Sequence, residues 1–255
     1  MKLKHIAPIS LILIALIVVA HFATDGDLIL KQASIEVRQY ANLPEMNLGW
    51  LSLKDHFIAT VGPHSGQGKE LKDLLVIADA KIQPKSRFPE HPHRDMEILT
   101  WVAEGTLQHF DNKGTNQAVP TEHLQLMSAR DGIFHAEGNS SSESLRILQI
   151  WINPNSKGGT PIVKQVGLKN QGFNLLAGPE NAELSIRQNV WMYVARLKDE
   201  NAEFIVPDDK FAYVVSVGNL NWNEIALQDG DGALIQSGKI EIKGTGQAIV
   251  ILQKK

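Results

Sequence analysis

The sequence predicts an all-β protein built as two small barrels or sandwiches in tandem. Three observations carry that reading. From residue 74 onward the chain is a series of short apolar or alternating runs separated by turn residues, the pattern of strands whose successive side chains face opposite ways. No segment holds a long 3.6-residue apolar period, so no long amphipathic helix is expected. A stretch rich in Gly, Pro and Asn, residues 153–181, divides the strand-rich sequence into two blocks.

The first plausible strand, residues 35–40, follows a short polar linker at 25–31. Residues 61–72 hold Gly62, Pro63, Gly66 and Gly68 among polar residues and read as a loop bordering a pocket mouth. Strands are then expected at 74–78, 97–103, 106–110, 124–127 and 145–152. Glu104-Gly105 suits a two-residue hairpin, and residues 111–114 suit a longer turn. Beyond the dividing stretch, strands are expected at 190–196, 204–206, 211–217, 224–227, 233–235, 240–243 and 248–252. Asp229-Gly-Asp-Gly232 and Lys243-Gly-Thr-Gly246 supply turns among them.

With 255 residues, 43% hydrophobic and 21% charged, the composition is that of a globular protein with room for one large or two small cores. A formal charge of −3 with no Lys or Arg run excludes the electrostatic footprint of a nucleic-acid binder. The amino terminus departs from this soluble character. Lys2 and Lys4 precede an apolar stretch, residues 6–20, broken only by Pro8 and Ser10, which is the layout of a secretory signal. Cleavage after Ala20 would place Val18 and Ala20 at the recognition positions. The competing reading is an uncleaved anchor, because residues 6–23 approach the minimum length of a membrane span. Both place the folded part outside the cytoplasm, in the periplasm or held at the inner membrane facing it, with membrane contact only if the leader stays. The absence of cysteine is compatible with export, since a domain of this size needs no disulfide. The expected organisation is a signal peptide or anchor at 1–23, an amino-terminal domain at 35–155 and a carboxy-terminal domain at 156–255. The expected state is a monomer.

His91, His93, His135 and Glu137 form two histidine-containing pairs at i, i+2 spacing in strand-rich sequence. Residues two apart on a strand share a face, so each pair can aim two donors at one point. Neutral imidazoles and a carboxylate are ordinary ligands of a divalent transition metal. All nine histidines fall at or before position 135, so only the first block can build such a centre. His109 and His123 read as surface or hydrogen-bonded residues. Trp101 shares strand parity with His91 and His93 if the strand is unbroken, and reads as a barrel-core side chain or, alternatively, as a pocket wall.

The segment 84–139 resembles the cupins: His91-Pro-His93, Glu97 and Gly105 match the first cupin motif, and Gly132, His135 and Asn139 the second. More closely, the runs 88–97 and 127–137, with Glu104-Gly105 between them, resemble the pirin family. The resemblance extends from about Gly49 to the carboxy terminus and is diffuse in the second block. It implies a bicupin of two tandem jelly-roll β-barrels with a site of three histidines and one glutamate, matching His91, His93, His135 and Glu137. The general cupin pattern would instead make Glu97 the acid ligand. Parity leaves both open, because Glu97 also shares a face with His91 and His93 on an unbroken strand. The implied cofactor is one divalent metal, usually Fe(II) in this family, with Mn, Ni, Cu or Zn suited to the same ligands. The implied activity is dioxygen-dependent cleavage of a flavonol such as quercetin, a small aromatic substrate, with Glu137 assisting its deprotonation. Two alternatives stand beside it: a non-enzymatic metal- or redox-responsive binding protein, and another cupin small-molecule enzyme.

Overall fold

Strands with apolar residues on both parities can bury both of their faces, and the central sheet of this protein does so. The structure, a computed structural model, describes residues 32–57 and 71–255. The expected leader, the linker and nearly all of the loop at 61–72 lie outside the described residues. The central sheet has seven strands in the order Ile162–Gly167, His123–Ser128, Glu97–Glu104, Leu145–Ile152, Leu74–Ile82, Leu51–Asp55 and Glu45–Asn47. Its neighbours in space are a five-stranded sheet, Ser86–Arg87, Ile133–Asn139, Thr106–Asp111 and Asn116–Pro120 with His91–His93 paired to Ile133–Asn139, and an eight-stranded sheet dominated by Lys210–Trp222, Gly238–Lys254 and Val190–Val206. This is the jelly-roll layering of a cupin, nearly all β, with a single 3-10 turn at Tyr40–Asn42 among the described residues.

Strand parity decides what each face meets. Leu99, Trp101, Leu148 and Ile150 pack with Tyr213, Val215, Ile249 and Ile251 of the eight-stranded sheet. The opposite parity, Val102 and Ile147 with Ala78 and Ala80, packs with Leu107 and Val119 of the five-stranded sheet. The eight-stranded sheet repeats the device: Ala212, Val214, Ala248 and Val250 turn to a second core around Trp222. Trp101 is fully buried between the two large sheets, and its Nε1 donates to Gln247 Oε1 at 2.9 Å. Its core assignment stands, but it faces away from the five-stranded sheet that carries the histidine pairs. Edge strands come from distant parts of the chain: Ile35–Arg38 pairs with Gly232–Ile235 at one edge of the eight-stranded sheet, and Ile162–Gly167 pairs with His123–Ser128 at one edge of the central sheet.

The expected hairpin at Glu104-Gly105 does not form: the chain turns sharply there, but Glu97–Glu104 and Thr106–Asp111 enter different sheets and do not pair. Gly105 has φ +80°, and a Cβ there would lie 2.4 Å from the Ser144 carbonyl oxygen, so the turn admits no other residue without rearrangement. The expected turn at 243–246 does not form. One 17-residue strand, Gly238–Lys254, runs through it. Gly246 lies against the Val217 carbonyl, where a Cβ would not fit, and the glycines here let a long strand bend beside its neighbour rather than reverse. The expected strands at 190–196 and 204–206 likewise fuse into Val190–Val206, with a register shift between Lys198 and Glu200.

Candidate metal centre

The short strand His91–His93 pairs with Ile133–Asn139 so that His91 stands directly opposite His135. Two i, i+2 side chains on one strand therefore meet a third from its neighbour. Ring centroids lie 4.4 Å apart for His91 and His135, 5.0 Å for His91 and His93, and 5.1 Å for His93 and His135. One ring nitrogen from each of the three lies within 4.8 Å of the others. His91 Nδ1 sits 2.8 Å from the Pro89 carbonyl, which can only accept, so that nitrogen carries the proton and Nε2 is left as the electron-pair donor.

Glu137, two residues beyond His135, lies beside it but belongs to a second group. His109, His135 and Glu137 place one donor atom each within 4.8 Å, so the two groups share His135. One carboxylate oxygen of Glu137, Oε1, accepts from the Gln149 amide. Its other oxygen, and both ring nitrogens of His135, are buried with no hydrogen-bond partner among the described residues. Buried polar atoms are costly when unpaired and are rare in native structures. A bound cation that takes the lone pair of one His135 nitrogen and of Glu137 Oε2 would satisfy two of these atoms; the other His135 nitrogen carries the proton.

Burial drives the charge state. His93 is pushed down to about 4 and His135 to about 3, in each case mainly by desolvation and then by the neighbouring imidazoles. Both are neutral at pH 7, as ligands must be. His56, buried outside the site against the Tyr213 hydroxyl at 2.7 Å, is lowered to about 3 by burial and then by Arg38 and Arg146. In the unfolded chain all three would titrate near 6.5. Between that value and about 3 the unfolded state binds more protons, so stability is full above pH 6.5 and is lost as pH falls. In chelator, the urea midpoint of the metal-free protein is expected to drop between pH 7.5 and 5, each histidine contributing up to about 1.4 kcal/mol per pH unit within its window. A flat midpoint over that range would contradict these assignments.

The structure separates Glu97 from the histidines. Asp95, with φ +49°, breaks the chain between His91–His93 and Glu97–Glu104, which enter different sheets. The unbroken strand on which the parity argument depended does not exist. Glu97 turns to the side of Leu99 and Trp101, where its Oε1 accepts from Ser128 Oγ at 2.7 Å and Arg187 Nε at 3.0 Å.

His109 is fully buried rather than at the surface. Its Nε2 donates to Asp111 Oδ2 at 2.9 Å and its Nδ1 faces the Gln125 amide at 3.4 Å, so both nitrogens are engaged. Burial pushes Asp111 up, yet hydrogen bonds from His109, Thr115 and Lys113 outweigh it and hold the carboxyl below its ordinary value. The i, i+2 spacing of His109 and Asp111 was the available signal for this pair. His123 holds its Nδ1 3.2 Å from the Thr121 carbonyl and joins neither donor group.

A cavity of about 270 Å³ opens beside the donors. Leu53, Ala78, Phe88 and Ile147 give it apolar walls, while His91, Glu137, Gln149 and Trp151 supply its polar groups. Trp151 also packs edge-on against His93, centroids 5.0 Å apart. Gln149 and Trp151 were not singled out from the sequence as site residues. The signal was there: a glutamine interrupts the apolar run 145–152 at the parity that faces the donors.

Comparison with known proteins agrees with this architecture. The family described as Pirin matches residues 36–152, and the one described as Quercetinase C-terminal cupin domain matches residues 175–253. A protein of Escherichia coli strain K12 named quercetin 2,3-dioxygenase is 36% identical over 195 residues, covering 74% of this chain and 84% of the relative. A pirin-like protein of Caulobacter vibrioides is 35% identical over 211 residues, covering 79% of this chain and 90% of the relative. The crystal structure of the bacterial pirin YhhW from Escherichia coli in complex with nickel(II) matches with a TM-score of 0.78 at 32% identity, covering 87% of this chain and 99% of that one. With both halves matched and whole-length relatives above 30% identity, the chain belongs to the pirin family.

Proposed function

We propose that this protein is a metal-dependent dioxygenase that opens a flavonol such as quercetin, with one divalent metal, Fe(II) in the native state, held by His91, His93, His135 and Glu137. The apolar cavity ending at His91 and Glu137 carries the reading. A small, mainly apolar pocket with a few convergent polar groups suits a flat aromatic ligand. A metal facing a flat exposed surface would have favoured a binding protein instead. The relatives named quercetin 2,3-dioxygenase and the nickel-bound YhhW support the same choice.

When bound, the metal would supply Lewis acidity and the electrons that activate dioxygen. The chain's own residues do the rest. Leu53, Phe88 and Ile147 exclude water and hold the rings against the donors. Glu137, which lines the cavity, would assist deprotonation of a flavonol hydroxyl. The test is a turnover screen of metal-reconstituted protein with and without oxygen. Flavonol absorbance is expected to fall in step with oxygen uptake, both oxygen atoms entering the product and one ring carbon leaving as carbon monoxide. No turnover in any metal-loaded form, across several flavonols, would move the reading to a non-enzymatic binding protein.

The leader pattern at Lys2, Lys4 and residues 6–20 supports export of this activity. Fractionation of the native host is expected to place the protein in the periplasm or on the outer face of the inner membrane. Mass spectrometry of the mature chain distinguishes cleavage from anchoring, and a cytosolic, full-length product would contradict both.

A further inference from the structure

The strand Leu145–Ile152 sends Leu148, Ile150 and Ile152 into the core between the large sheets, while Ile147, Gln149 and Trp151 line the cavity. The two polar members of that inward row bond to each other and onward to Glu137. Trp151 Nε1 donates to Gln149 Oε1 at 2.9 Å, and the Gln149 amide nitrogen donates to Glu137 Oε1 and to Thr100 Oγ1, the latter at 3.4 Å. An indole nitrogen has only a proton to give. The Gln149 carbonyl must therefore face Trp151, which directs the amide hydrogens at Thr100 and the carboxylate. A side-chain amide that could otherwise turn over has one sense here. The consequence falls on Glu137, whose Oε1 is tied down while Oε2 stays buried with no hydrogen-bond partner among the described residues.

We propose that Gln149 is a positioning residue for Glu137, with Trp151 setting the sense of its amide, so that Oε1 is anchored to the strand and Oε2 is the oxygen reserved for the metal. The inference rests on the reading above in which Glu137 is a metal ligand. It gives Trp151 two functions in one side chain, since its ring walls the cavity and packs on His93 while its N–H orients the amide.

Nickel(II) titration of the metal-stripped full chain, against a competing chelator, tests it with Gln149→Met, Trp151→Phe, the double variant and Glu137→Gln. Methionine matches the length of glutamine without its donor, and phenylalanine keeps the ring without the indole N–H. Gln149→Met is expected to weaken nickel binding by about 10-fold to 100-fold, the usual effect of losing a partner that orients a ligand. Trp151→Phe is expected to give a smaller loss, because the amide keeps its bond to the carboxylate but loses the donor that holds its carbonyl. If Trp151 acts through Gln149, the double variant binds nickel as weakly as Gln149→Met alone. Wild-type affinity in Gln149→Met would overturn the proposal, and losses that simply multiply would overturn the part assigned to Trp151. Should Gln149→Met fail to fold, Gln149→Asn keeps the amide on a chain too short to span both partners and carries the same expectation. Glu137→Gln separates the two levels. If it weakens nickel binding while Gln149→Met does not, only the positioning falls; if neither does, the ligand assignment of Glu137 falls with it.

Discussion

His135→Ala is expected to lower metal affinity by more than about 100-fold, beyond the upper end of what losing an outer partner costs a metal site. The position follows from geometry. Among the described residues, His135 is the one side chain shared by both donor groups, and both of its ring nitrogens are buried without hydrogen-bond partners. No neighbouring donor can replace it, because His109 already has each nitrogen engaged by Asp111 and Gln125. His91→Ala is expected to act in the same direction. His123→Ala is the control, since that ring is satisfied by the Thr121 carbonyl outside the site and should leave metal content unchanged. Elemental analysis reads the outcome directly. Full occupancy in His135→Ala, or two tightly held ions per wild-type chain, would contradict the centre as drawn.

Much of this site was legible in the sequence because its geometry is local. The His-x-His and His-x-Glu spacings need only strand parity to aim their side chains, and the pairing of His91 with His135 follows once the two strands are neighbours. What parity could not reveal is a break in the strand. Asp95 in a left-handed conformation leaves no mark on the alternation of residues 91–102, so Glu97 and Trp101 read as sharing a face with the histidines. They turn instead toward the eight-stranded sheet, where Glu97 finds Arg187 and Trp101 finds Gln247. Those partners lie far along the chain, and no local pattern announces them. His109 was set aside for a related reason: it is buried against Gln125 of the central sheet, not against its own neighbours in sequence.

The fold shows the same division. Strand 145–152 was read with its observed limits because its apolar run is bounded by polar residues on both sides. The bent strands Val190–Val206 and Gly238–Lys254 were divided, because Gly and Asp in series look alike whether the chain turns back or merely bends. Only the pairing of Gly246 with Gly218, which brings two backbones close, distinguishes the two cases.

Glu137→Gln and Glu97→Gln are expected to fail in opposite ways. The Glu137 substitution changes charge and hardly changes size, so the fold should persist. Metal binding should weaken, and loss of a general base is typically worth about 100-fold to 10,000-fold in turnover. Glu97 has no donor partner in either histidine group. It is fully buried, with its Oε1 paired to Arg187 and Ser128 and its Oε2 without a hydrogen-bond partner among the described residues. Glu97→Gln leaves the Arg187 guanidinium without its counter-charge, and because Arg187 is partly exposed the cost falls below the roughly 3–5 kcal/mol of breaking a fully buried pair. For a chain of this size each kcal/mol lowers the melting temperature by roughly 2–4 °C, so the variant should melt early while nickel affinity stays near wild type. A thermal melt and a nickel titration on both variants decide the matter. Metal loss in Glu97→Gln with retention in Glu137→Gln would reverse the acid ligand and restore the general cupin pattern, because only a carboxylate that reaches the imidazoles can change their affinity without first changing the fold.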